Sequence, residues 1–222
     1  MCIRDRSLAD LNWLRERFGD DLKGRTVAMS WAYSPSYAKP LSVPQGVITL
    51  FTRWGMHVRL AHPGGYRLMD ECLGAARRFA SESGGSFELC DTMDEAFEGA
   101  EIVYPKSWGP YDLMLERVEA NRRGDKAALA EIEQRALQRN AGHKDWICDE
   151  RRMGLTRDAL YLHCLPADIG AEVSPAVYDH FRVDVAREAN HKVYVIMALL
   201  AVAKQEGLRE RLLHFLDEGG RG

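Results

Sequence analysis

The chain has 222 residues with a formal net charge of -3, of which 46% are hydrophobic and 28% charged. That balance is ordinary for a globular protein and argues against a nucleic-acid or anionic-membrane binder. No apolar run approaches the roughly 20 residues of a membrane span, and the first six residues lack the apolar core of a signal peptide. The five cysteines (Cys2, Cys72, Cys90, Cys148, Cys164) include no C-x-x-C pair, so neither a disulfide framework nor a zinc ribbon is indicated. Reduced thiols in a cytoplasmic protein without metal or cofactor is the plain expectation.

In chain order, residues 7–19 predict a helix, with Ser7 as its cap and Leu8, Leu11, Leu14 and Phe18 at helical spacing. Residues 24–31 predict the first strand. A Pro-rich loop follows, and Ser42 with Gln45 forms the pattern of a capping box opening a helix that stops at Gly55. Residues 56–61 predict a second strand, and Met69 to Ala80 a helix closed by Gly84-Gly85. Phe87 to Cys90 is a third strand, and Thr92 with Glu95 is another capping box. Ile102 to Tyr104 predicts a fourth strand, and 112–139 a charged helix that would break at Gly124.

Residues 148–154 read as a helical turn. The apolar run 159–162 reads as a strand ending in His163, Cys164, Leu165 and Pro166. A short helix at 174–180, a last strand at 182–185, a helix at 188–204 and a terminal helix at 208–215 complete the pattern. Strand and helix alternate nearly throughout, which predicts an α/β fold with a doubly wound parallel sheet, Rossmann-like.

In such a sheet the C-terminal strand tips share one edge, where ligands bind. The tips carry Trp31, Tyr33, Ser34 and Ser36; His62; Lys106, Ser107 and Trp108; His163 and Cys164; and, after the last strand, Arg187, Glu188 and Lys192. Taken singly, each has an ordinary reading. Trp31 and Trp108 suit a core, Lys106 a solvated loop, Cys164 a small buried position, and Lys192 a snorkelling side chain. Together they suit a small polar or anionic ligand.

The run His163-Cys164-Leu165-Pro166 resembles a signature of the aspartate/ornithine carbamoyltransferase superfamily. Further matches are Trp31 to Tyr37, Lys39 to Gly46, Tyr104 to Trp108, His143 to Trp146, and Glu188-Ala189 with Lys192. In combination they are similar to the knotted branch, which contains N-acetylornithine carbamoyltransferases and a group of unassigned substrate. The second group is the nearer likeness. The resemblance spans about residues 7–205. It implies a trefoil knot involving the loop at 34–46, with residues 1–22 as a linking helix and 23–222 as the amino-acid-binding domain. It also implies transfer of a carbamoyl group from carbamoyl phosphate to an amino group of an amino-acid-like acceptor.

The resemblance places His163, Cys164 and Leu165 at the junction of the two substrates. Lys106, Ser107 and Trp108 fall on the acceptor side, with Trp31, Tyr33 and Ser34 beside them. Lys192 stands where ornithine enzymes carry an Arg for carbamoyl phosphate. Ornithine enzymes have Asp at the Lys106 position to hold an amino group, so Lys106 implies an acceptor with an anionic or carbonyl group. The family's Ser-x-Arg-Thr phosphate loop is absent, and Ile3 to Arg6 stand where a His-Pro-x-Gln motif would lie before Leu8-Ala9-Asp10. The expectation is a second domain without its carbamoyl-phosphate partner, inactive alone, for which the family's homotrimer is doubtful. Two rivals remain. A nicotinamide dehydrogenase would need G-x-G-x-x-G after the first strand, where the Pro-rich loop stands. A non-catalytic amino-acid-binding or assembly module would need no phosphate loop.

Overall fold

A computed structural model describes residues 3–37 and 39–219. Its elements are α1 (Ile3–Phe18), β1 (Thr26–Trp31), α2 (Ser42–Arg53), β2 (His57–Ala61), α3 (Asp70–Ser83), β3 (Ser86–Cys90), α4 (Met93–Phe97) and β4 (Ile102–Lys106). They continue with α5 (Tyr111–Arg123), α6 (Lys126–Ala141), α7 (Glu150–Met153), β5 (Leu160–Tyr161), α8 (Pro175–Lys204) and α9 (Leu208–Gly219).

The five strands are all parallel and lie in the order β3-β2-β1-β4-β5. The order reverses between β1 and β4, so their C-terminal ends flank a topological switch point. Register sets Trp31 beside Lys106 at that edge. Successive side chains of a strand face opposite sides, and β1 shows it. Val27, Met29 and Trp31 pack with α1, α2 and α3, including Trp13, Leu14, Ile48, Phe51 and Leu73. Ala28 and Ala32 pack on the other face with Met93, Phe97, Tyr161, Val177 and Val185. The small alanines let α4 approach the sheet closely.

Several local expectations hold for identifiable reasons. Gly124 ends α5 at φ 66, where only glycine is at ease, and Asp125 then caps α6 by accepting from the Ala128 N–H at 3.0 Å. Thr92 caps α4, accepting from the Glu95 N–H at 3.1 Å. The Glu95 carboxylate in turn accepts from the Asp91 N–H at 2.9 Å, one residue before the cap.

Three expectations are corrected. The strand at 182–185 does not exist: α8 runs unbroken through it as a 30-residue helix. Phe181, Val183 and Val185 alternate as a strand would, but Val183 is 56% exposed while Val177, Val185 and Glu188 are buried at helical spacing. Ser174 caps this helix by accepting from the Val177 N–H at 3.2 Å, and Pro175 stands in its first turn. Ser42 makes no capping box, because Leu41 is the N-cap and no side chain caps that helix. Ser7 is no cap either, since α1 begins four residues before it.

Beyond His191, α8 leaves the core and exposes Val193, Tyr194, Met197, Leu199 and Leu200. No helix among the described residues is long and apolar enough to cross a membrane. Ala38, in the loop assigned to the trefoil knot, lies outside the described residues, and the knot remains an expectation of the resemblance.

Candidate functional site

The strand tips at the switch point converge on one residue that sequence reading passed over, Glu172. Its side chain is fully buried. Oε1 accepts from the Ser107 N–H at 2.7 Å and Oε2 from the Asp168 N–H at 2.9 Å. Lys39 Nζ pairs with Oε2 at 2.9 Å, and Lys106 Nζ lies 3.6 Å from Oε1. Burial by itself would raise the Glu172 pKa, but His163 and the two ammonium groups outweigh it and hold the carboxyl well below its usual range. A carboxylate this deep survives only because its charge is paired and its lone pairs are filled.

Around Glu172 stand the other charged groups. Lys106 is buried and donates to the Ser107 carbonyl at 2.8 Å. Burial pulls its pKa below the ordinary lysine value, with Glu172 acting the other way. Lys39 also binds Asp168 Oδ2 at 2.6 Å, and Ser34 Oγ donates to the same oxygen at 2.5 Å. The Pro-rich loop is thereby tied to the segment after β5.

His163 is buried, and both faces of its backbone are held. Its N–H donates to Glu188 Oε2 at 3.0 Å and its carbonyl accepts from Arg6 at 2.8 Å. Its Nδ1 accepts from the Leu165 N–H at 3.0 Å, so the neutral ring carries its proton on Nε2. Nε2 faces Glu172 Oε2 at 3.3 Å without the alignment of a hydrogen bond. Burial lowers the His163 pKa, with Glu172 pulling the other way. Leu165, 36% exposed, has φ 49, a conformation few non-glycine residues adopt. Such backbone strain persists where surroundings over-determine it. Cys164 is half-buried, and burial pushes its thiol up to about 11, so it is no thiolate at neutral pH.

The remaining candidates are placed as follows. Trp31 and Trp108 are both fully buried; the Trp31 Nε1–H donates to the Trp108 carbonyl at 2.9 Å and the Trp108 Nε1–H to the Tyr66 carbonyl at 2.7 Å. Their indoles brace the tips from within. Tyr33 is half-buried, its N–H donating to the Trp146 carbonyl at 2.7 Å. Ser107 Oγ is buried and has no partner among the described residues. Lys192 sits on α8 one turn after Glu188, its Nζ 3.9 Å from Asp5 Oδ2. His62 is set apart, its Nδ1 3.0 Å from the Pro63 carbonyl, and burial lowers its pKa. Open clefts of about 340 and 440 Å³ lie elsewhere, beside the start of α8 and between α1 and α2. The chemistry gathers at the tips, where polar groups pack on one another. The signal for Glu172 was present in the chain: a lone acid between Ala171 and Val173, just before the Ser174 cap.

The model for the aspartate/ornithine carbamoyltransferase Asp/Orn binding domain matches residues 41–203. The chain belongs to that family. YgeW of Escherichia coli (strain K12), named provisionally as a carbamoyltransferase, is 51% identical over 96% of this chain and 57% of its own length. N-acetylornithine carbamoyltransferase of Xanthomonas axonopodis pv. citri (strain 306) is 32% identical over 89% of this chain and 54% of its own length. A crystal structure of N-acetyl-L-ornithine transcarbamylase superposes with a TM-score of 0.71 at 31% identity, covering 88% of this chain and 56% of that one. A mutant of that enzyme, complexed with carbamyl phosphate and N-succinyl-L-norvaline, also gives 0.71 at 31% identity, over 88% and 55%. This carbamoyltransferase-family chain thus spans a little over half the length of the relatives it matches.

Proposed function

We propose that this chain supplies the acceptor side of a carbamoyl transfer from carbamoyl phosphate to an amino group of an amino-acid-like substrate. The observation that carries the reading is the buried His163, its Nδ1 occupied by the Leu165 N–H so that Nε2 is left to donate, at the switch point of a domain matching the family's Asp/Orn binding domain. The acceptor amine attacks the carbamoyl carbon and the carbonyl electrons move onto oxygen; collapse breaks the C–O bond to phosphate, and the departing phosphate takes up the proton that the amine nitrogen loses. Such a reaction needs orientation and a hydrogen-bond donor for the developing oxyanion more than covalent chemistry. His163 Nε2–H is that donor in this reading. The protonated Cys164 and Leu165 line the junction without attacking. Ser107 Oγ and the backbones of Tyr33 and Ser34 shape the acceptor side, with Trp31 and Trp108 holding the tips in place. Lys192 supplies positive charge toward the phosphate. Residues 1–22 act as a linking helix and 23–222 as the acceptor domain.

No Ser-x-Arg-Thr sequence occurs in the chain, so the polypeptide by itself is expected not to turn over. Calorimetry with carbamoyl phosphate, and then with small amino acids, tests the assignment. Binding of an amino acid without carbamoyl phosphate supports an acceptor half. Carbamoylation by this polypeptide alone refutes the inactivity, and binding of neither class refutes the acceptor role.

A further inference from the structure

Lys106 does not face this site as an available cation. It is buried against the Ser107 carbonyl, and Glu172 lies beside it. Lys39, with its side chain 14% exposed, is claimed by both Glu172 and Asp168. The outermost charge of the cluster is Asp168, its side chain 30% exposed. Ser34 and Lys39 both bind its Oδ2, and Oδ1 has no partner among the described residues. Among the Lys and acidic side chains of the cluster, two ammonium groups stand against two carboxylates. The oxygen that Ser34 and Lys39 leave unbonded, Oδ1, belongs to the most exposed of these four charged side chains. Two buried groups beside Glu172 lack hydrogen-bond partners among the described residues, Ser107 Oγ and His163 Nε2, the latter 3.3 Å from Glu172 Oε2. They mark this edge as built to receive a ligand's polar atoms.

Resting on the acceptor reading above, we propose that Asp168 is a specificity-determining residue that takes a free ammonium group of the acceptor through Oδ1. The acceptor class is then an amino acid with an unacylated α-amino group, not an N-acylated one. Lys39 and Ser34 hold the Asp168 carboxylate in place by its other oxygen. This reverses the expectation drawn from Lys106, because the lysine charge is cancelled within the fold before a ligand meets it.

The test is calorimetry on the whole chain with two probes, L-norvaline and N-acetyl-L-norvaline, with and without carbamoyl phosphate. Wild type should favour L-norvaline at least tenfold. Asp168→Asn should remove that preference and Asp168→Glu should retain part of it. Equal or tighter binding of the acetylated probe by wild type overturns the proposal. So does an Asp168→Asn variant that keeps the preference, and so does failure of L-norvaline to bind under either condition. Should Asp168→Asn not fold, as judged by circular dichroism, the wild-type comparison still decides. Failure of both probes to bind would sink the acceptor reading together with this assignment, whereas equal binding of the two probes by wild type sinks this assignment alone and leaves the acceptor reading standing.

Discussion

Replacing Glu172 by Gln removes one charge from the most densely paired carboxylate at the strand tips. The variant keeps the size and one acceptor oxygen, but leaves Lys39 and Lys106 without their shared counter-ion. Breaking a buried ion pair from one side costs about 3–5 kcal/mol. The upper half of that range applies here, since Glu172 is fully buried and meets two ammonium groups and two backbone N–H donors. For a domain of this size each kcal/mol shifts the melting temperature by about 2–4 °C, so Tm should fall on the order of 10 °C. Urea unfolding at pH 7, followed by circular dichroism, measures the loss directly.

The pH dependence gives a second, independent signature. The folded-state pKa of Glu172 is depressed from an ordinary 4.5. Its contribution is therefore complete above that value and is lost as pH falls through the folded-state value. Wild type should lose stability more steeply than Glu172→Gln below about pH 4.5, and the two curves should converge in acid. A loss under about 1 kcal/mol at pH 7, the range of an exposed pair, or parallel curves in acid, would refute the buried-hub account.

Cys164 should react slowly with iodoacetamide at pH 7 and faster as pH climbs toward its pKa of about 11; rapid alkylation at neutral pH would contradict its environment. Val183→Asp should change stability by less than about 0.5 kcal/mol, because the side chain faces solvent from a helix. Val185→Asp, at a position 1% exposed, should cost more than about 3 kcal/mol; comparable costs in denaturant titrations would favour a strand there. Gly85→Ala sets a new Cβ 2.4 Å from the Met56 carbonyl oxygen. Overpacking of that kind costs about 1–3 kcal/mol, and an unchanged Tm would show that the β2–β3 edge yields freely.

Much of the architecture is written locally. Alternating apolar runs place β1 to β5, and Gly124 followed by Asp125 marks the break between α5 and α6. These are short-range effects, set by backbone sterics and by side chains three or four positions apart, so they can be read along the chain. The motifs at His163 and Lys106 pointed to one shared edge of the sheet, where the structure brings them together, for the same reason: strand ends are local features.

Where short-range patterns compete, only packing decides. Phe181 to Val185 satisfies both a strand and a helix, and burial of Val185 and Glu188 against the sheet selects the helix. The electrostatics at the tips are wholly tertiary. Lys39 meets Asp168 across 129 positions of sequence and Ser107 meets Glu172 across 65. Whether Lys106 is an open cation or a cancelled one depends on those meetings. Burial, which moves the His163, Cys164 and Glu172 equilibria, is a property of the assembled sheet and helices, because desolvation arises only when distant segments exclude water together.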